Sequence, residues 1–211
     1  MNKKYWEERY KKNGHAKTVG DSRWNAEQYQ QQNDEIKLNI KQAMAEELFS
    51  GEFAGKNVAD YGCGSSRFTE FIIENFLPAI YYGYDIVDEV IEYDQMIERA
   101  KPHHHCQVLF RPIDVMVVET DFSMIFCAFV LQHIVEDSDL LFTLKNWRVM
   151  LEHDGMALVI TNVFKAKSNE YIHFRSVQEY EAAFDAIGFK HELKWVKKIG
   201  GEDHACFILK I

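Results

Sequence analysis

The chain has 211 residues, enough for one domain with a substantial core and short for two. Its 47% hydrophobic and 14% aromatic content argues against intrinsic disorder, and its net charge of −9 disfavours non-specific nucleic-acid binding, which needs clustered cations. The longest apolar run, residues 124–131, falls well short of the ~20 residues of a membrane-spanning helix and reads as a buried strand, so no membrane partner is expected.

The charge is uneven. Residues 1–24 carry seven Lys/Arg and three acids, about +4, and leave about −13 for the rest. That basic segment reads as the solvated face of a short helix, with contact to an anionic partner as the alternative. Residues 1–12 are charged and have no apolar stretch of the kind a secretory leader needs. Cys63, Cys106, Cys127 and Cys206 come singly, with no CxxC pair, and are expected as free thiols in the cytoplasm. No metal site is expected. The run His103-His104-His105 reads as a loop, since three successive side chains of a strand cannot converge on one ion.

In chain order, the first 50 residues look helical. Tyr5, Trp6 and Tyr10 share one face of a first helix. Ile36, Ile40, Ala43, Met44 and Leu48 recur at helical spacing after Asn33, a candidate N-cap. From Lys56 onward, strands alternate with helices. Strands are predicted at 57–61, 80–84, 106–113, 123–129 and 155–161, with a closing pair at 189–197 and 204–211 around Gly200-Gly201. Between them lie helical stripes: Phe68, Phe71, Ile72 and Phe76, ending before Pro78; Ile86, Val90, Tyr93 and Ile97; and Leu140, Leu144, Trp147 and Leu151. A last helix opens on the capping box Ser176-Val177-Gln178-Glu179 and stops at Gly188. This alternation predicts an α/β fold: a doubly wound, mostly parallel seven-stranded sheet with helices on both faces and an antiparallel edge strand. Residues 51–211 would form that domain, and residues 1–50 a helical extension.

In such a sheet, ligands bind beyond the carboxyl ends of the strands. The first strand-to-helix turn, Asp60-Tyr61-Gly62-Cys63-Gly64-Ser65-Ser66, lies at that place, and its glycines let backbone approach a ligand closely. The following helix offers free N–H groups. Asp85 ends the second strand, 21 residues after Gly64, where a carboxylate can accept from two ribose hydroxyls. The dinucleotide fingerprint G-x-G-x-x-G would need glycine at position 67. Arg67 stands there, which disfavours a nicotinamide cofactor.

Val58-Ala59-Asp60-Tyr61-Gly62-Cys63-Gly64 resembles the first motif of the class I S-adenosylmethionine-dependent methyltransferases, and Tyr84-Asp85-Ile86 the second. Ile113-Asp114-Val115 and residues 126–134 are similar to the family's third- and fourth-strand exits, the latter of the small-molecule type. His153-Asp154-Gly155 and Ala186-Ile187-Gly188-Phe189 follow in the family's order. The resemblance covers about residues 56–211. Ser66 departs from the usual third glycine, Ser123 from the usual Asp, and His153-Asp154 from the usual Pro-Gly.

The resemblance implies S-adenosylmethionine as cofactor, with Asp60, Gly62, Gly64, Asp85, Ile86, Asp114, Val115 and Phe129 around it. It implies methyl transfer to an O or N nucleophile of a small molecule. Displacement at a sulfonium needs alignment and exclusion of water, and a base only where the nucleophile carries a proton. His133, past the fourth strand, is the candidate base, and Gln132 beside it a candidate for holding a polar group of the acceptor. Tyr5, Trp6, Tyr10 and Trp24, with Tyr29, are candidates for a lid over the site, against the alternative of plain packing. DNA is disfavoured, since Pro78, Pro102 and Pro112 make neither a D/N-P-P-Y nor a Pro-Cys motif. RNA or protein acceptors, and a catalytically silent cofactor-binding subunit, stand as alternatives. The oligomeric state is left open.

Overall fold

The computed structural model describes residues 2–13, 26–100, 103, 105–114, 121–163 and 168–211. The chain forms two compact units, residues 3–116 and residues 117–211. The first contains α1 (Lys3–Asn13), α2 (Ala26–Ala43), α3 (Ala45–Ser50), β1 (Asn57–Tyr61), α4 (Thr69–Phe76), β2 (Ile80–Asp85), α5 (Asp88–Ala100) and β3 (Gln107–Pro112). The second contains β4 (Phe122–Ala128), a single 3-10 turn (Leu131–His133), α6 (Asp137–Met150), β5 (Leu151–Asn162), α7 (Val177–Ile187), β6 (Lys190–Ile199) and β7 (Glu202–Lys210).

Among the described residues, seven strands make one sheet in the order β3-β2-β1-β4-β5-β7-β6. β2 pairs in parallel with β1 and β3, and β4 with β5, while β7 is antiparallel to β5 and β6. The mostly parallel sheet with an antiparallel edge is therefore as expected. The hairpin that builds this edge turns through Gly200 and Gly201, both with positive φ (61° and 92°). Lys190, Lys194, Lys197 and Lys198 along the outer strand β6 oppose its extension by another chain.

Burial follows from strand position. Every residue of 122–127 in β4 is buried, as a strand covered on both faces requires. Phe71, Ile72 and Phe76 of α4 and Leu140, Leu144 and Trp147 of α6 are buried as their periodicity predicts. The α7 capping box is complete: Ser176 Oγ accepts from the Glu179 amide at 3.3 Å, and Glu179 Oε2 accepts from the Ser176 amide at 2.7 Å. Gly188 closes that helix at φ 82°.

Three local expectations are corrected. Asn33 is not a cap but a buried residue inside α2, which begins seven residues earlier. Glu27, Gln28 and Gln30–Gln32 favour helix, and Gln30 donates to Asp34 one turn on at 2.9 Å. The stripe Ile86, Val90, Tyr93 and Ile97 is rotated: Val87, just ahead of α5, and Val90, Ile91 and Asp94 within it face inward, with Tyr93 and Ile97 exposed. The inward Asp94 is a polar residue that apolar periodicity passes over. Finally, the strand expected at 155–161 begins earlier: β5 starts at Leu151, opposite Phe122, and takes in His153-Asp154-Gly155, with the ladder shifting register between Phe122 and Met124. Gly155 permits that irregularity, since a Cβ there would lie 2.8 Å from the Phe122 carbonyl oxygen.

All four cysteines are free and buried. No helix among the described residues is long and apolar enough to cross a membrane.

Candidate functional site

The glycine turn is built by the ends of β1 and β2. Those strands run side by side, Tyr61 opposite Tyr84, so both leave the sheet at one level. The Gly62 and Cys63 amides donate to the Tyr84 carbonyl at 2.7 and 2.9 Å. This fold-back requires positive φ at Gly62 (78°) and Gly64 (54°). Ser66 adopts φ 56°, a left-handed conformation that strains an L residue. The residue that departs from the family motif thus occupies a position where glycine would be unstrained.

Asp85 holds the turn together. Its Oδ2 accepts from the Gly64 amide at 2.9 Å and its Oδ1 from the Val87 amide at 3.0 Å. Burial raises its pKa, and backbone N–H bonds from Val87, Gly64 and Ile86 pull it back down. A carboxylate has about four acceptor sites, so three N–H bonds leave room to accept from a ligand hydroxyl. The Ser66 hydroxyl, in the same turn, is buried with no hydrogen-bond partner among the described residues. Two side-chain-free positions, a carboxylate with a spare acceptor site and a buried hydroxyl without a partner among the described residues fit an adenosyl ligand.

Asp60 is only 2% exposed and lies deeper. It accepts from the Tyr81 hydroxyl at 2.8 Å, and that hydroxyl is itself 2.8 Å from Thr69 Oγ1. Burial pushes the Asp60 carboxyl up to about 7, against the Tyr81 hydrogen bond and with help from Asp85 and Asp94. Beyond β3, Asp114 is exposed and Ile113 half-buried. Val115, Trp24 and His104 lie outside the described residues. His103 Nδ1 lies 2.9 Å from Glu98, within the loop expected there.

Two helices of the extension reach the glycine turn and the start of α5. The Arg67 guanidinium lies 5.2 Å from the ring centre of Tyr29 and 5.0 Å from that of Phe68, and donates to Gln32 at 3.4 Å. Arg67 thereby ties α2 to the glycine turn, a role the sequence reading missed because it treated position 67 only as a missing glycine. In α1, Lys3 donates to Asp88 at 2.7 Å and Lys11 lies 3.9 Å from Glu89, both acids in the first turn of α5. The hydrogen bond to Asp88 raises the Lys3 pKa; desolvation opposes it, and the fields of Glu7 and Asp114 add to it. Tyr5 and Trp6 meet edge to face at 5.2 Å, and Arg9 donates to the Tyr5 hydroxyl at 3.2 Å. Tyr5, Trp6 and Tyr10 are half-buried, and no residue of α1 is fully buried.

In the second unit, the residues after β4 form a separate group. Phe129 has φ 64°, donates its amide to Ile160 O at 2.7 Å and meets His204 edge to face at 5.3 Å. Gln132 is 7% exposed, and its Oε1 accepts from the Thr161 hydroxyl at 3.0 Å, which in turn lies 3.0 Å from Tyr180 Oη. His133 is half-buried with Nδ1 3.1 Å from the Tyr171 carbonyl oxygen. A carbonyl only accepts, so Nδ1 carries the hydrogen and Nε2 the lone pair of the neutral ring.

A strand–glycine turn–helix–strand unit closing on an acidic residue defines a Rossmann-like, nucleoside-binding class of protein. Residues 59–157 match a family described as a methyltransferase domain. Among solved structures, the chain is similar to magnesium protoporphyrin IX methyltransferase (ChlM) from Synechocystis PCC 6803 with bound SAH, at 14% identity and TM-score 0.70, covering 99% of this chain and 98% of that one. It is similar to an S-adenosylmethionine-dependent methyltransferase from Mesorhizobium loti (15% identity, TM-score 0.59, 80% and 98% covered). Mycolic acid cyclopropane synthase CmaA1, complexed with SAH, is a further neighbour (11%, TM-score 0.60, 75% and 79%). At these identities the likeness is one of fold. No curated protein matches the chain in sequence. The fold is thus the one these S-adenosylmethionine-dependent methyltransferases share, and the family match places a methyltransferase-type domain over residues 59–157.

Proposed function

We propose that the protein methylates an O or N nucleophile of a small-molecule acceptor. The sulfonium cofactor, when bound, supplies an electrophilic methyl group. In this reading Asp85 takes the ribose hydroxyls, Gly62 and Gly64 admit the cofactor against bare backbone, and Ile86 and Asp114 flank it. Asp60, bonded to Tyr81, supports the turn from below. His133 accepts the proton of an acceptor that carries one at working pH, and Gln132 holds the turn bearing His133 in place through Thr161.

The observation that carries this reading is the imidazole of His133, half-buried with its Nδ1 hydrogen committed to a carbonyl, which leaves Nε2 as the acceptor atom. The acidic chain supports a small acceptor over a nucleic acid. Residues 1–50 are an extension to the methyltransferase domain at 51–211. The bond from Lys3 of its first helix to Asp88, three residues after Asp85, supports the reading of that helix as a cover over the cofactor, against plain packing.

The test is incubation of the protein with S-adenosylmethionine labelled in the methyl group and with fractionated cell extract. Label appearing in the small-molecule fraction is the expected result. Label only in RNA or protein would overturn the acceptor class. Cofactor binding with no transfer to any fraction would favour a silent subunit.

A further inference from the structure

Residues 168–175, between β5 and α7, form a tight turn and then a strap. Asn169 Oδ1 accepts from the Tyr171 and Ile172 amides at 2.8 and 3.0 Å, and Ser168 Oγ from the Phe174 amide at 3.1 Å. The strap lies against the segment that follows the 3-10 turn, and two imidazoles cross between them. His133 donates from Nδ1 to the Tyr171 carbonyl at 3.1 Å, while His173 donates from Nδ1 to the Val135 carbonyl at 2.8 Å. The His173 amide adds a backbone bond to Gln132 O at 2.8 Å.

Arg175 anchors this crossing. It is 3% exposed, and its guanidinium reaches three residues at once. Nη1 donates to Ile134 O at 2.9 Å, Nη2 to Val135 O at 3.1 Å and to Asp137 Oδ1 at 2.8 Å, and Nε to the same Asp137 oxygen at 3.0 Å. Ile134 and Val135 precede α6, so no helical amide takes their carbonyls. A planar fork with five donors satisfies such a set, and a lysine ammonium cannot.

We propose that Arg175 is a positioning residue: it fixes the strap on residues 132–137 so that the Tyr171 carbonyl holds His133 in its Nδ1–H tautomer. The proposal rests on the role assigned above to His133 and names what sets it. A histidine free to exchange tautomers presents a lone pair at Nε2 only part of the time; one bonded to a fixed carbonyl presents it constantly. His133 and His173 are locked by the same geometry, each by the other's segment.

The experiment reads the tautomer directly and needs no acceptor. Protein labelled with 15N-histidine is studied by long-range 1H–15N correlation at about pH 8, where an ordinary imidazole is neutral. Comparison with His133→Asn assigns the ring. The expected result is a protonated Nδ1 and an unprotonated Nε2 in the parent. In Arg175→Met the two nitrogens should move toward averaged values, and Arg175→Lys should not restore them. Should Arg175→Met fail to fold, Asp137→Ala removes two of the four anchoring bonds from an exposed position and should shift the ring partway. A parent with Nε2 protonated, or folded Arg175→Lys and Asp137→Ala variants with His133 unchanged, would overturn the proposal. Failure of the parent to bind an adenosyl ligand would instead defeat the methyltransferase reading and leave the tautomer result standing.

Discussion

Asp60→Asn isolates what burial does beneath the glycine turn. The carboxyl is held at about 7 in the folded chain against an ordinary value of 3.8. At about 1.4 kcal/mol for each unit, ionising it in place costs on the order of 4 kcal/mol. Because the folded value is raised, the protonated carboxyl's contribution to stability is complete below about pH 4 and is lost as pH rises through about 7. Between pH 5 and 8 the loss is about 3 kcal/mol. Asparagine keeps an acceptor for the Tyr81 hydroxyl and does not titrate. Urea unfolding of parent and variant, followed by circular dichroism at both pH values, gives the difference between them at each. That difference should move by about 3 kcal/mol in the variant's favour on going from pH 5 to 8. Taking the difference removes most of the titration common to both chains. If it stays constant to within about 0.5 kcal/mol, Asp60 is ionised throughout and the argument from burial fails.

Asp85→Ala should weaken binding of S-adenosylmethionine by about 1.5–3 kcal/mol, the worth of hydrogen bonds to a charged group, and Gly62→Val by at least as much; calorimetry on folded variants that bind like the parent would refute the site. Ser66→Gly should stabilise the chain by about 0.5–1 kcal/mol, the left-handed penalty at φ 56° less glycine's own entropy, and a loss of stability in urea would show that the Ser66 side chain matters more than its strain. Hydrogen exchange across α1 should slow when SAH is added, as expected of a helix that closes on the cofactor, and unchanged protection would favour simple packing.

The fold was legible in the sequence because burial imposes periodicity. Strands such as residues 122–128 read as apolar runs, and α4 and α6 as stripes at helical spacing. The order strand, glycine turn, helix, strand, Asp85 was legible too, since backbone that must take positive φ calls for glycine and a strand end that must accept hydrogen bonds calls for a carboxylate. Local capping at Ser176, Glu179 and Gly188 was equally open to reading, because its partners lie within one helical turn.

Other features were decided only by the tertiary structure. The inward turn of Asp94 depends on what α5 packs against, and polar residues carry no periodic signal of burial. Arg67 meets Tyr29 and Gln32, about 35 residues away in sequence, so nothing local to position 67 announces its partners. Gln132 spends its side-chain carbonyl on Thr161, and His133 takes its tautomer from a carbonyl 38 residues along the chain. Sequence determines which chemical groups are available and which elements carry them. Which atom of a histidine bears the proton is set by a hydrogen bond between distant segments, and only folding brings those segments together.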